Sequence, residues 1–331
     1  MEAGPRNLIT DVEGILVGNA EDRAAASGVT VVLPQEPCAA GVDVRGGAPG
    51  TRDTDALEPT CLVDAVDAVV LSGGSAFGLD AAGGAMAGLA ARGRGFRVGE
   101  AVVPIVPCAI LFDLLNGGDK AWGEVPPYRS LGRDALEAAS AFFALGNAGA
   151  GLGARAGALK GGLGSASMVT ADGLQVGALV AVNAVGSAVM PGGTALWAWP
   201  FERNGEMGGQ VAPARVDFAE ETQGLDAMPG ENTTIGVVAT NAALDKSQAR
   251  RVAIMAQDGY ARALRPVHTP FDGDTVFCLA TGRRQGRVDA AGLSRIGALA
   301  ADCMARAVGR AMWEARSLLA MTCYRDWAAS R

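Results

Sequence analysis

The chain has 331 residues, of which 49% are hydrophobic and 19% are charged, enough to bury one large core or two ordinary ones. Its formal net charge of −7, with no run rich in lysine or arginine, argues against nucleic acid and anionic membranes as partners. The same acidic balance mildly favours a cationic or neutral small substrate.

The first half of the chain is predicted to contain strands followed by two helices. A turn with two prolines joins the first two strands, and Ser75 is the expected N-cap of the first helix, whose small residues favour close packing. The predicted strands are 28–34, 40–47 and 67–74, and the predicted helices are 75–93 and 133–145.

The second half is predicted to begin with long strands and to end in helices. Residues 201–232 are polar and irregular, and long loops of this kind in compact domains are usually functional or mobile. The predicted strands are 174–190 (more than one strand), 233–241 and 274–282, and the predicted helices are 244–264 and 289–315. Because the strands cluster and the helices are segregated after them, we expect α+β layers and not a doubly wound parallel sheet.

Neither a cofactor nor a targeting signal is evident. The six cysteines form no C-x-x-C pair and His268 is the single histidine, so no metal site and no cofactor are predicted. The N-terminus lacks a basic segment followed by an apolar core, and no stretch of 18 or more residues is uniformly apolar. A cytoplasmic protein is therefore expected.

The glycine-rich segment LSGGSAFGLDAAGG at 71–84 follows a predicted strand and opens a predicted helix. A phosphate cradle is possible at such a position, because a helix N-terminus presents free N–H groups. The segment matches neither the P-loop nor a complete dinucleotide-binding pattern, so close backbone packing is the preferred interpretation.

A hydroxyl–histidine–carboxylate triad would have to use His268, which lies near Asp272 and Asp274 in HTPFDGD. The chain lacks a G-x-S-x-G nucleophile motif. A structural histidine is therefore the preferred interpretation.

The segment PGENTTIGVVATN at 229–241 places a turn directly before a β-branched strand that begins with two threonines. Threonine favours strands and asparagine favours turns, which is one explanation. The alternative is chemical: the Thr233 hydroxyl can attack the carbonyl of Asn232, and hydrolysis of the resulting ester would free the α-amine of Thr233. That amine titrates near ~7.7–8.0 and could act as the general base in a chain with so little histidine.

Four separated segments resemble the L-aminopeptidase/D-esterase family, which includes β-aminopeptidases and 6-aminohexanoate-oligomer (nylon) hydrolases. They are VDVRGGAPGTRDTDALEP (42–59), VVLSGGSAFGLDAAGG (69–84), NTTIGVVATN (232–241) and HTPFDGDTVF (268–277). The resemblance implies one hydrolase domain over 1–331, an αββα sandwich, and cleavage into chains 1–232 and 233–331 that assemble as tetramers of pairs. The Asn232–Thr233 junction is most similar to the nylon-hydrolase branch.

The resemblance also implies roles for single residues. Thr233 matches the nucleophile, and Lys160 matches a lysine near it, where a cation would favour a neutral amine and a deprotonating hydroxyl. Asn183 matches an asparagine that steadies the hydroxyl or donates to the oxyanion. Asp272 and Asp274 match paired acids that could hold the amine of the nucleophile or the ammonium of a substrate. Without the resemblance, these residues would be interpreted as a surface lysine, a strand-end asparagine and solvated turn carboxylates.

One position departs from the family pattern. A tyrosine often stands where this chain has Phe112, so one hydroxyl that could face the oxyanion is lost. Three functions stay open: an amide hydrolase acting on small peptides, amino acid amides or 6-aminohexanoate oligomers, an acyltransferase similar to ornithine acetyltransferases, or an unprocessed ligand-binding protein. The usual Ala-Thr-Met-Leu junction of the acyltransferases is absent, and the hydrolase is preferred.

Overall fold

A computed structural model of the chain describes residues 1–216 and 232–331. Within these residues the strands are β1 (Ile15–Asp22), β2 (Ser27–Pro34), β3 (Ala39–Val44), β4 (Thr51–Arg52), β5 (Val69–Ser72), β6 (Phe96–Val98), β7 (Ala101–Val103), β8 (Cys108–Ile110), β9 (Arg155–Ala156), β10 (Leu159–Lys160), β11 (Gly162–Val169), β12 (Gln175–Asn183), β13 (Thr233–Ala242) and β14 (Thr275–Arg284). The α-helices are α1 (Asp80–Ala91), α2 (Tyr128–Glu137), α3 (Lys246–Ala263), α4 (Ala290–Glu314) and α5 (Tyr324–Ala329). Residues 217–231 of the predicted irregular stretch 201–232 lie outside the described residues, and 202–216 contains no regular element.

Two five-stranded sheets form the centre of the fold. The first has the strand order β1-β2-β5-β8-β4 and the second has the order β11-β12-β13-β14-β3, and two short hairpins are β6-β7 and β9-β10. In the second sheet, β13 lies antiparallel to β12 and parallel to β14. The strand that begins at Thr233 is therefore central in its sheet, with backbone partners on both sides.

Three apolar clusters divide the molecule into four layers. Helices α1 and α2 pack on the outer face of the first sheet, and α3 and α4 pack on the outer face of the second. The third cluster lies between the sheets and joins residues of both, among them Val17, Val69 and Leu71 of the first sheet and Leu179, Ile235 and Phe277 of the second. This arrangement confirms the predicted αββα sandwich.

Small residues allow the two outer helices of the first sheet to touch. A Cβ on Gly84 of α1 would come within 1.8 Å of the carbonyl oxygen of Arg129, and one on Gly132 of α2 would come within 2.0 Å of the carbonyl oxygen of Ala81. Such distances exclude any side chain at these glycines. Close packing is thus the role of the helical part of the glycine-rich segment.

Several predicted boundaries were wrong. Strands β2 and β3, which follow one another across the proline-containing turn, lie in different sheets: β2 is enclosed by β1 and β5, while β3 pairs with β14. Ser75 is not an N-cap, since it lies at φ 52° in a 3₁₀ turn (Ser75–Leu79) that precedes α1. Helix α2 begins before the predicted 133–145 and ends at Glu137, and strand β1 was not predicted. Within the described residues, no helix has the length and apolarity needed to cross a bilayer.

Candidate functional site at the edge of the sandwich

The candidate site lies where strands β12 and β13 reach the edge of the space between the sheets. Successive side chains of a strand alternate between its two faces. Thr233 therefore shares the inner face of β13 with Ile235 and Val237, which pack between the sheets. Asn183 shares the inner face of β12 with Ala181, and the Cα atoms of Asn183 and Thr233 are direct partners in the antiparallel ladder. Two of the predicted site residues are thus neighbours.

The carbonyl group of Asn232 receives two hydrogen bonds. The Thr233 hydroxyl Oγ1 donates to the Asn232 oxygen at 2.5 Å, and the backbone N–H of Gly273 donates to the same oxygen at 3.2 Å. Donors on a carbonyl oxygen stabilise negative charge that develops there. The geometry therefore polarises the peptide bond that precedes Thr233 and brings a hydroxyl next to it.

Gly273 is a site residue that the sequence interpretation did not identify. A Cβ at this position would come within 2.7 Å of Thr233 Oγ1 and 2.8 Å of the Ala48 carbonyl oxygen. The absence of a side chain is therefore what lets the Gly273 N–H approach Asn232. The sequence feature that could have identified Gly273 is its position between the two aspartates of FDGD, since glycine permits close backbone approach.

Asp272 and Asp274 are each 1% exposed and hold the backbone around Thr233. Asp272 accepts hydrogen bonds from the N–H of Val185 and from both the N–H and the hydroxyl of Thr269. Asp274 Oδ1 accepts the N–H of Thr234 at 2.9 Å. Burial, and after it the negative charge of Asp274, raise the pKa of Asp272 above its ordinary value. Both carboxylates lie beside the Asn232–Thr233 junction, and both are committed to hydrogen bonds within the protein.

His268 is hydrogen-bonded to Asp274. Its backbone N–H donates to Asp274 Oδ2 at 3.0 Å, and its ring nitrogen Nδ1 lies 2.8 Å from the same oxygen. His268 has φ 56°, a strained value for a residue with a side chain. The histidine thus contacts one of the predicted acids, and its side chain is 22% exposed.

The backbone of segment 45–48 is hydrogen-bonded to the aspartate loop, residues 272–274. The N–H groups of Arg45 and Gly46 donate to the carbonyl oxygen of Asp274, and the N–H of Ala48 donates to that of Asp272. A Cβ on Gly46 would come within 2.2 Å of the Asp272 carbonyl oxygen. The early VDVRGG segment therefore belongs to the site as a backbone support.

Lys160 is fully buried, not a surface lysine. Its Nζ donates to the carbonyl oxygens of Gly151 at 2.9 Å and Gly161 at 2.8 Å. Burial lowers the pKa of Lys160 from 10.5 to about 7, against the opposing charge of Asp113. A substantial fraction of Lys160 is therefore uncharged at neutral pH.

The glycine-rich turn after β5 cradles a carboxylate of the chain itself. Asp113 accepts hydrogen bonds from the Gly74 N–H at 2.8 Å and from the Ser27 hydroxyl at 2.7 Å, and a Cβ on Gly73 would come within 2.3 Å of Asp113 Oδ2. Burial raises the pKa of Asp113 above its ordinary value. Asp113 was not predicted as a site residue, because the contact between 73–74 and 113 arises only when β5 and β8 pair.

Asn183 and Phe112 are joined across the two sheets. Asn183 Nδ2 donates to the carbonyl oxygen of Phe112 at 3.0 Å, and Asn183 Oδ1 accepts the backbone N–H of Arg155 at 2.9 Å. These two bonds fix the plane of the Asn183 amide. Phe112 therefore contributes its backbone to the site, and its ring supplies no hydroxyl.

A cavity of about 1030 Å³ opens beside these residues. Asn183, Phe112 and Asn232 line it, whereas Thr233, on the other side of the Asn232–Thr233 bond, is 2% exposed. Apolar side chains complete part of the wall, among them Val189, Met190, Trp197, Met321 and Trp327. The volume suits a drug-sized ligand.

Comparison with known proteins agrees with this geometry. The model of peptidase family S58 matches residues 7–323, nearly the whole chain. The chain belongs to peptidase family S58. The suspected L-aminopeptidase/D-esterase family, with its nylon-hydrolase branch, is thereby confirmed.

Curated relatives of this S58 chain include aminopeptidases and nylon-oligomer hydrolases. An uncharacterized aminopeptidase of Mycobacterium tuberculosis is 46% identical over 341 residues, which span 97% of each chain. A 6-aminohexanoate-oligomer endohydrolase of an Agromyces species is 29% identical over 321 residues, covering 92% of this chain and 86% of the relative. The S58 chain is accordingly a peptidase or amide hydrolase.

Solved structures show the same fold. A β-aminopeptidase of a Burkholderia species superposes with a TM-score of 0.69 at 24% identity, over 95% of this chain and 88% of that one. The L-aminopeptidase/D-Ala-esterase/amidase of Ochrobactrum anthropi, described as a variant of the Ntn hydrolase fold, gives a TM-score of 0.69 at 23% identity, over 95% and 87%. The S58 chain therefore has an Ntn-hydrolase-type sandwich.

Proposed function

We propose that this S58 chain is an autoprocessing N-terminal-nucleophile hydrolase that cleaves amide bonds through an acyl-enzyme on Thr233. The observation that carries the proposal is the double hydrogen bond on the Asn232 carbonyl, from Thr233 Oγ1 at 2.5 Å and from the Gly273 N–H at 3.2 Å. An attacking hydroxyl and an oxyanion donor thus meet at one carbonyl.

The first step is cleavage of the chain by itself. Thr233 Oγ1 attacks the Asn232 carbonyl carbon, and the oxyanion that forms is held by the Gly273 N–H. The C–N bond then breaks, the hydroxyl proton passes to the departing nitrogen, and an ester joins Asn232 to the Thr233 side chain. Water hydrolyses this ester and leaves chains 1–232 and 233–331, with a carboxylate on Asn232 and a free amine and hydroxyl on Thr233.

The second step repeats this chemistry on a substrate amide. An α-amine ordinarily has a pKa of about 7.7–8.0, so that of Thr233 can take the hydroxyl proton and deliver it to the leaving amine. Asp272 and Asp274 flank the position of the freed amine, since the backbones of Asn232 and Asp272 pair as an isolated β-bridge and Asp274 accepts the Thr234 N–H. They would hold the amine in place and leave it able to cycle between its charged and neutral forms.

Three further residues support the reaction. Asn183 is the ladder partner of Thr233 and lines the cavity, so we assign its amide to the oxyanion of a bound substrate. Lys160 supplies a titrating positive charge close to neutral pH. With Phe112, the substrate oxyanion has one hydrogen-bond donor fewer than a tyrosine would give. Backbone N–H groups therefore provide a larger share of its stabilisation.

The substrates we propose are small peptides, amino acid amides or 6-aminohexanoate oligomers, the last by analogy with the 29%-identical endohydrolase. We also propose a cytoplasmic location and a homotetramer of cleaved chain pairs, and no cofactor enters the reaction. The substrates, the location and the oligomeric state are proposed from the family resemblance and the chemistry of Thr233.

The test is a panel of p-nitroanilides and short oligoamides assayed with purified protein, followed by mass spectrometry of protein trapped during turnover. The proposal expects an acyl adduct on the peptide that begins with Thr233, and its absence in Thr233→Ala. Transfer of the acyl group to an added amine in preference to water would point to an acyltransferase instead. An intact chain without amide turnover would point to an unprocessed ligand-binding protein.

A further inference from the structure

The charged side chains among the described residues that line the cavity beside Asn232 are mostly cationic, in contrast to the acidic chain as a whole. Among the described residues that line it, the basic side chains are Arg155, Arg265 and Arg331, and the single carboxylate side chain is that of Asp113. Asp113 is 3% exposed and already accepts the Ser27 hydroxyl and the Gly74 N–H. Among these described side chains, the guanidinium of Arg155 is therefore a candidate partner for a ligand, whereas the carboxylate of Asp113 is held by the protein.

Arg155 is joined to the candidate site through Asn183. Its backbone N–H donates to Asn183 Oδ1 at 2.9 Å. This bond fixes the backbone of Arg155 beside the Asn183 amide, which is the group proposed to face the substrate carbonyl. Its Nε donates to the carbonyl oxygen of Gly157 at 2.7 Å, and within the described chain its two terminal nitrogens have no hydrogen-bond acceptor. Arg155 is exposed to the cavity. One edge of a guanidinium is thus oriented by the protein while the edge that binds carboxylates stays available.

A second guanidinium lies against an aromatic wall of the same cavity. The Cζ atom of Arg265 is 5.7 Å from the centre of the Trp197 ring, a cation–π distance that orients the planar group. Trp197 and Met190 add apolar surface. The cavity thus combines an aliphatic or aromatic wall with cationic positions, which suits a flexible chain that ends in an anion.

An ammonium group finds less support there. Asp272 and Asp274 are each 1% exposed, and both oxygens of each accept hydrogen bonds from the protein. Neither residue is among the described lining of the cavity. Among the described side chains that line the cavity, none offers an exposed carboxylate to the N-terminal ammonium whose recognition the removal of an N-terminal residue requires.

From these observations we infer that the preferred substrate is an amide that carries a free carboxylate, which pairs with Arg155 while the scissile carbonyl faces Asn183. The inference rests on the proposed function. It names the chemical class that this cavity selects: ω-carboxyacyl amides or acylated amino acids in preference to peptides recognised by an N-terminal ammonium.

The test uses substrates that differ only in that charge. Glutaric acid mono-p-nitroanilide is compared with its carboxamide counterpart, and N-hexanoyl-6-aminohexanoate with its C-terminal carboxamide, so that the carboxylate is placed on either side of the scissile bond. For at least one pair we expect kcat/KM to favour the carboxylate about 10-fold or more, because hydrogen bonds to charged groups are the stronger ones. Equal rates for both members of both pairs, while neutral amides are cleaved, would overturn the inference and leave the proposed function standing.

Variants assign the preference to one residue. In Arg155→Gln the ratio should fall toward 1, and Arg155→Lys, which keeps the charge but not the bidentate geometry, should give an intermediate ratio. Arg133→Gln is the matched control, since Arg133 is an exposed arginine paired with Glu137 on α2. An unchanged ratio in Arg155→Gln contradicts the assignment.

A binding measurement separates failure of the inference from failure of the proposed function. If no amide is hydrolysed, the hydrolase proposal fails, but calorimetry with glutarate and with glutaramide still tests the cavity. Glutarate should bind in preference to glutaramide, and Arg155→Gln should remove the difference. Absence of a difference overturns the inference whatever the activity.

Discussion

The two sides of the Asn232–Thr233 bond are built differently. On one side the aspartate loop 272–274 is buried, and its carboxylates and backbone groups are hydrogen-bonded to 45–48, to His268 and to Thr234. On the other side Asn183, Phe112 and Arg155 border a cavity of about 1030 Å³. The packed side can hold Thr233 in a fixed position, and the open side can admit different substrates.

The charge of the whole chain and the charge of the cavity wall differ. Net charge over the whole chain favoured cationic or neutral substrates, yet the described wall of the cavity is cationic. Overall charge describes long-range attraction, whereas selectivity depends on the groups within a few ångströms. Changes on the packed side should therefore affect self-cleavage and all substrates alike, and changes on the open side should affect the choice among substrates.

The largest effect should follow Gly273→Ala. The new Cβ would lie 2.7 Å from Thr233 Oγ1 and 2.8 Å from the Ala48 carbonyl oxygen, so the loop must shift and withdraw its N–H from Asn232. Loss of an oxyanion donor costs about 10²–10³ in rate, and we expect self-cleavage to slow by at least that factor. Gel densitometry over time measures it.

The control for Gly273→Ala is Gly292→Ala on the first turn of α4, where a Cβ would meet no atom closer than 3.2 Å. That variant should mature like the wild type. Normal processing of Gly273→Ala would remove the Gly273 N–H from the mechanism.

Asp274→Asn should have the next largest effect. Both oxygens of Asp274 face backbone N–H donors, those of Thr234 and His268, so the NH₂ of asparagine must oppose one of them. A buried donor left unsatisfied costs about 1–3 kcal/mol, and we expect processing and turnover to fall about 10²-fold together. Asp258→Asn, at an exposed position on α3, is the control. A loss confined to one class of substrate would place Asp274 on the open side instead.

Lys160→Met should change the pH dependence of stability. The pKa of Lys160 in the folded chain is about 7, below its ordinary 10.5, so between these values the unfolded chain binds more protons. The free energy of unfolding should therefore rise with pH by up to about 1.4 kcal/mol per unit, and Met should remove this contribution. Urea unfolding of both proteins in a Thr233→Ala background, between pH 7 and 8.5, measures the difference. Parallel pH profiles would contradict the buried, titrating lysine.

Phe112→Tyr should have the smallest effect. Phe112 lines the cavity and is held through its carbonyl by Asn183, so a hydroxyl on its ring adds a donor near the substrate without disturbing the packed side. We expect kcat to rise a few-fold at most with self-cleavage unchanged, measured on one neutral p-nitroanilide. A fall in both rates would show that the ring packs where no hydroxyl fits.

Some features of the fold and the site could be predicted from the sequence, and others could not. The Asn232–Thr233 junction could be proposed from its own chemistry, and α+β layers followed from the order of strands and helices. The aspartate pair, Asn183, Lys160 and the αββα sandwich came from the family resemblance of four segments. The separation of β2 from β3 could not be predicted, because a proline turn looks the same whether its strands pair with each other or with distant partners. Nor could the cradle of Asp113 or the Gly273 contact, which arise only when remote strands come together.

The intact mass of the purified wild-type protein tests the central claim most directly. The account predicts two polypeptides whose masses correspond to residues 1–232 and 233–331, with threonine as the first residue of the shorter one, and a single full-length mass for Thr233→Ala. A full-length wild-type chain, or a break at any other bond, would contradict it.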